Sequence, residues 1–174
     1  MPSFAELAQK ADRVIHGKVL SQRSFWDSHE GQRFIRTEVE FEVYDRSGAR
    51  NVVDHVTLRF MGGRVDEMIM NVAGMPTFTL GEEVVLFERG NGHTICPLVG
   101  WRHGHYRISR RGDGSRPIVR RADFSLLRET AEVSRPFGQK QAQMNALSRG
   151  EEALSLGDFL AEVTALRTKG GARE

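Results

Sequence analysis

His103-Gly104-His105 is the pair in this sequence with the best spacing for metal chemistry. Residues i and i+2 of a strand point to the same side, so both imidazoles could reach one ion. His93 and Cys96 lie near enough in the chain to add ligands from a neighbouring strand. A zinc site needs three or four ligands, however, and no second spaced pair occurs. A metal-dependent enzyme using His103 and His105 is therefore the third reading, and no cofactor is expected. No GxSxG elbow is present, and Cys96, between Ile95 and Pro97, carries no Cys-His signature and reads as a small buried hydrophobe. Gly62-Gly63 could cradle an anion with its amides, but without a following GK it reads as a turn.

A second constellation is cationic. Arg102, Arg107, Arg110, Arg111, Arg116, Arg120 and Arg121 crowd one predicted hairpin, with Trp101 and Tyr106 among them. Cations for phosphates and aromatic rings for stacking are what a single-strand nucleic-acid surface needs, and this is the second reading. The bland reading is an exposed hairpin whose charge offsets the Glu38, Glu40, Glu42 stripe. The net charge of +2 is too small to imply nucleic acid by itself. Arg111-Gly112-Asp113 matches an adhesion tripeptide but reads first as a hairpin tip.

A third set could bind protein. Met61, Met68, Met70 and Met75 gather in a predicted irregular loop over residues 61–76, and methionine packs adaptably on binding surfaces. Phe159, Leu160 and Val163, with Leu156 and Leu166, form an apolar stripe on a predicted helix over 155–167, capped by Ser155. That stripe must bury against its own sheet or against a partner, including a second copy of the chain.

The elements that would position these residues are mostly strands. Residues 4–11 read as a short helix with a Ser3/Glu6 capping box. Residues 13–23 read as a strand with a bulge at Gly17, and Trp26–Gly31 as a polar turn. From Arg33 to Tyr44 apolar and polar residues alternate, which puts Ile35, Thr37, Val39, Phe41 and Val43 on one face. Further strands are expected at 56–60, 77–80, 93–99, 104–109 and 117–121. Val84-Val85-Leu86-Phe87 is a continuous apolar run, the pattern of a strand buried on both faces. So many short strands joined by short turns predict an antiparallel barrel or sandwich over 1–121, then a linker or covering arm over 122–153 and the helix within 154–168.

At 174 residues, 39% apolar and 28% charged, the chain can bury a core without metal or disulfide. No run of about 18 apolar residues exists to span a membrane. The opening MPSFAELAQKADR lacks the pattern of a signal peptide, which suits either a cytoplasmic chain or a mature exported one whose leader is gone.

Two stretches resemble one group of domains. Ala11-Asp12-Arg13-Val14-Ile15-His16-Gly17-Lys18-Val19 is similar to the opening strand of uncharacterised bacterial exported domains. Gly74-Met75-Pro76-Thr77-Phe78 with Gly81-Glu82-Glu83-Val84-Val85-Leu86-Phe87 resembles their later G-x-P-x-F and G-E-x-V segment. The first stretch also looks like the start of netrin-like and tissue metalloproteinase-inhibitor domains. Those inhibitors act through an N-terminal cysteine, and here the chain begins Met-Pro-Ser-Phe. The resemblance implies an OB-like β-barrel, a periplasmic or extracellular location and a non-catalytic binding module for a protein partner. That is the first reading.

Overall fold

The computed structural model of the protein describes residues 1–44, 54–110, 116–138 and 153–170. The chain is mainly β. Its strands are β1 Arg13–His29, β2 Gln32–Val43, β3 Asp54–Met61, β4 Gly63–Val65, β5 Met68–Met70, β6 Glu83–Glu88, β7 His105–Ser109 and β8 Ile118–Arg121. Helix α1, Phe4–Lys10, precedes them and α2, Leu156–Gly170, follows them. Six strands form one antiparallel sheet in the order β3-β2-β1-β6-β7-β8, and β4 and β5 form a separate hairpin. No ladder joins β3 to β8 among the described residues, so the sheet is not closed.

β6 is the middle of the molecule, and the apolar run in its sequence explains why. Val84, Val85, Leu86 and Phe87 are all fully buried. Successive side chains point to opposite faces of a strand, so each face receives two of them. Val85 and Phe87 join Phe4, Leu7, Tyr106, Leu127, Val133, Phe159 and Val163 under the two helices. Val84 and Leu86 join Ile15, Val19, Val39, Phe41, Leu58 and Phe60 on the other face. Two cores thus share one sheet.

The helix ends follow their capping residues. In α1 the Ser3 hydroxyl accepts from Glu6 N at 3.2 Å, and Ser3 N donates to Glu6 Oε2 at 2.9 Å. Ser155 Oγ accepts from Asp158 N at 3.1 Å and starts α2. These bonds satisfy amides that the first turn of a helix leaves free.

Several expectations change. The predicted turn at Trp26 is strand: β1 runs to His29, and the chain reverses at Glu30-Gly31, both with positive φ. The bulge lies between Val19 and Ser21 rather than at Gly17. Gly17 serves close approach instead, because a Cβ there would stand 2.2 Å from Glu42 O. Residues 77–80 are not a strand. Glu82 Oε2 accepts from Thr79 N at 2.9 Å, a local bond that competes with a ladder, and Leu80 is left exposed. Residues 93–99 are bends with one bridge, Glu88 to Leu98, because Thr94 Oγ1 bonds the Gly90 and Cys96 carbonyls. The predicted loop 61–76 contains the β4–β5 hairpin. Of the segment read as a linker or arm, residues 122–138 lie on the sheet with Leu126, Leu127 and Val133 buried. Residues 139–152, Arg111 and the Arg111-Gly112-Asp113 tripeptide fall outside the described residues.

Candidate interaction surface

The β4–β5 hairpin is pinned at its base by two glycines. Gly62 (φ +100°) and Gly63 (φ +132°) adopt backbone angles that L side chains rarely take. A Cβ on Gly63 would lie 2.2 Å from Thr37 Oγ1 and 2.5 Å from Ser24 Oγ. The crossing over β1 and β2 is therefore reserved for glycine. Thr37 Oγ1 donates to Gly62 O at 2.7 Å, and Gly62 N donates to Ile35 O at 2.7 Å. That bond uses the Gly62 amide, so the Gly62-Gly63 pair acts as a turn and not as an anion cradle. At the far end Arg64 Nε donates to Asp66 O at 3.0 Å.

The four methionines separate by role. Met68 is 59% exposed and its neighbour Ile69 58%, and as successive residues of β5 they point to opposite faces of the hairpin. Met70 turns its Sδ to within 3.4 Å of Ile35 N. Met61, Met70 and Met75 line a cavity of about 320 Å3 with Val39, Phe60 and Phe78. Three of the methionines therefore line the cavity, and Met68 is exposed.

The helix stripe faces inward too. Phe159 is fully buried and Val163 is 4% exposed. The Phe159 ring lies 5.0 Å from Phe4 and 4.9 Å from Tyr106, ring centre to ring centre. These two residues belong to the chain's own core, which corrects their assignment as partner contacts. Leu160 is half-buried beside that core. Between α2 and the start of β1 runs a cleft of about 820 Å3, edged by Arg13, His16, Arg110 and Arg167. Its cations have partners: Arg13 with Glu88 at 2.8 Å, His16 and Arg110 with Glu83 at 2.8 and 2.6 Å, and Arg167 with the carbonyls of Ala8 and Ala11. Burial pushes the Glu83 carboxyl up, but the hydrogen bonds from Arg110 and His16 prevail and hold it at about 2.

Among the described residues, Arg102, Arg107, Arg110 and Arg121 are each held by partners within the chain. Arg107 is 5% exposed. It donates to Ala122 O at 3.1 Å and Thr77 O at 2.8 Å, pairs with Glu82, and lies under the exposed ring of Phe124 at 4.2 Å. Arg121 is 3% exposed, donates to the carbonyls of Val133 and Arg135, and packs on Phe137 at 4.3 Å. Arg102 also packs on Phe137, at 4.9 Å, and Arg110 holds Glu83. Tyr106 is 1% exposed, so its ring offers no face for a base, and Trp101 is half-buried against the second core. Periodicity cannot reveal this, because an arginine that ties down loop carbonyls and one that faces solvent look alike in sequence.

The two histidines part as well. His103 sits in the short 3-10 turn Trp101–Gly104 rather than in a strand, so the two-residue rule does not apply to the pair. Its Nδ1 lies 3.2 Å from Val133 O, and its ring lies 4.6 Å from Phe137. His105 is fully buried, with its ring 4.7 Å from Phe78 and no hydrogen bond to either nitrogen. Burial, with Arg107 and Arg102 nearby, pushes it down to about 3. Burial pushes the Cys96 thiol up to about 11, which leaves it unsuited to act as a thiolate. Among the described residues no three His, Cys, Asp or Glu side chains are grouped to hold a metal. No family model, curated protein or solved structure matches this chain.

Proposed function

We propose that this chain is a non-catalytic protein-interaction module that docks a partner on the β4–β5 hairpin. One observation carries the reading: Met68 and Ile69 are more than half exposed and give each face of the hairpin an apolar side chain, and the hairpin is anchored through Gly62, Gly63 and Thr37. Exposed adjacent apolar side chains on a fixed support are what a docking surface requires, since little ordering entropy is lost on contact. The partner is a protein with an apolar groove or patch, and Arg64 and Glu67 beside the tip would set its orientation.

The finer fold reading also belongs here. The order β3-β2-β1-β6-β7-β8, with a long first strand shared between two neighbours, supports an OB-like barrel left open between β3 and β8. With the resemblance of residues 11–19 and 74–87 to bacterial exported domains, it supports a periplasmic or extracellular role. The test is cross-linking of the protein in extracts of its source, with Met68→Asp and Ile69→Asp variants of unchanged melting temperature. A specific cross-linked partner lost from both variants is the expected result. A partner retained by both would remove the hairpin from the interface.

A further inference from the structure

Among the described residues, strand edges of the main sheet lie on β3, on β8 and on the outer part of β1, and the first two are covered. On β3, Asn91 acts in place of a neighbouring strand: Nδ2 donates to Thr57 O at 2.8 Å, and Oδ1 accepts from Arg59 N at 3.0 Å. Met61 N then donates to Ile95 O at 2.8 Å. On β8, Ser155 bridges Ile118, Leu126 bridges Arg120, and Val119 N donates to Leu154 O at 3.0 Å. The third stretch is the outer part of β1. β6 covers β1 only from Arg13 to Lys18, and the Glu82 and Gly81 backbone groups extend that cover to Val19. Past Gln22, whose side chain reaches Phe78 O, nothing among the described residues bonds the outer backbone of Ser24 or Trp26.

Which groups point outward follows from the pairing. Ile35 O accepts from Gly62 N, so Ile35 directs its backbone away from β1. Backbone direction alternates along a strand, so Phe34 and Arg36 point toward β1, opposite Asp27 and Phe25. On β1 itself, Ser24 and Trp26 then turn their N–H and C=O groups to the open edge. Natural edges are usually blunted by proline, a bulge or charged side chains; Gln22–His29 has no proline, lysine or bulge, and its charges, Arg23 and Asp27, are of opposite sign. Trp26 is also 39% exposed.

We propose that the outer edge of β1 pairs with the same edge of a second copy, antiparallel about Phe25, so that Ser24 and Trp26 exchange backbone bonds across a two-fold axis. Charge complementarity favours this register. With Phe25 on the axis, Arg23 stands directly opposite the second copy's Asp27. Both lie on the face that already carries Arg59, Glu38, Arg23, Asp27 and Arg36, with Glu38 held by Arg23 and Arg59 at 3.0 Å and Asp27 by Arg36 at 2.7 Å. Pairing therefore extends a row of alternating charge from one copy into the next. An axis on residue 23 or 27 would instead set arginine against arginine or aspartate against aspartate, which is unfavourable. The interface is isologous and closes at two copies, because each edge is used once. It does not depend on the hairpin surface above.

Sedimentation equilibrium of the full chain tests it. The wild-type protein is expected to dimerise. Arg23→Asp and Asp27→Arg place like charges opposite on self-pairing, so each is expected to weaken its own dimer by roughly tenfold. An equal mixture of the two variants restores opposite charges at both positions and is expected to return to wild-type strength as a heterodimer. Ser24→Pro removes an outward N–H and leaves the β1–β2 backbone bonds in place, and is expected to leave a folded monomer; Ser24→Ala, which loses only the Ser24 Oγ bonds to Thr37 and Arg64, is expected to stay dimeric. Circular dichroism confirms folding in each case. A wild-type protein still monomeric at roughly 0.5 mM, above the range of a weak specific contact, overturns the proposal. So does a dimer that Ser24→Pro leaves intact, or a mixture no stronger than its components.

Discussion

At the scale of single residues, the polar side chains of this protein are mostly turned to structural use, and His105 shows the cost. Its ring is buried on Phe78 with neither nitrogen bonded. The group titrates at about 3 in the folded chain against 6.5 for an ordinary histidine. Above pH 6.5 the ring is neutral folded or unfolded and has no effect on the pH dependence. As pH falls below 6.5 the unfolded chain takes up a proton that the folded chain refuses. Stability then declines by up to about 1.4 kcal/mol per pH unit until the folded value is reached. His105→Leu is expected to flatten urea-measured stability between pH 6.5 and 4.5. An unchanged slope would mean that other groups govern it. Glu83, held at about 2, acts lower. Its depressed value contributes stability above the ordinary carboxylate range near 4.5, and that contribution is lost as pH falls toward 2. Glu83→Gln is expected to reduce the acid sensitivity below pH 4.5 and to lower stability at pH 7. Arg107 is the companion case. Arg107→Met keeps some packing bulk but leaves Glu82 and two carbonyls without their donor, and a loss of about 2–4 kcal/mol is expected in chemical denaturation.

At the scale of elements, the sequence revealed what periodicity can carry. The Arg33–Tyr44 alternation is β2, the unbroken run at 84–87 is a strand buried on both faces, and the two capping serines begin the helices. Local competition was less visible. The Thr79 N–H donates to the Glu82 carboxylate and the Thr94 hydroxyl to nearby carbonyls, which turns predicted strands into bends, and Asn91 covers the distant β3 edge; no two-residue period records these bonds. Helix α2 was legible as amphipathic, but its partner was not, because an apolar stripe looks the same against a sheet as against another protein. In the candidate surface, the methionines were visible as a group. Which of them line the cavity and which is exposed was not visible, because it depends on where the hairpin crosses β1 and β2. Gly63→Ala is accordingly expected to destabilise the protein by about 2–3 kcal/mol, since strained φ and the contact with Thr37 and Ser24 combine, whereas Gly31→Ala faces open space and is expected to show only the φ penalty, about 1 kcal/mol. Equal losses in denaturant titrations would show that crowding at the crossing contributes nothing.

At the scale of the whole molecule, two apolar cores lie on opposite faces of one sheet and meet through β6. Val84 and Leu86 face one, Val85 and Phe87 the other, and the strand cannot leave either core without leaving both. The helices add no separate unit, because Phe4, Phe87, Tyr106 and Phe159 interlock ring on ring. Such an arrangement should unfold in one cooperative step. Trp101 packs on the core away from the helices and reports on that side alone once Trp26 is replaced by phenylalanine. Phe159→Ala opens a cavity in the helix-side core and is expected to cost about 3–5 kcal/mol. In the Trp26→Phe background, that variant should shift the transition followed by Trp101 fluorescence as far as the one followed by far-ultraviolet circular dichroism. A fluorescence midpoint left in place while the dichroism midpoint falls would mean that the two faces melt independently. β6 would then be a partition between two units rather than the strand that makes them one.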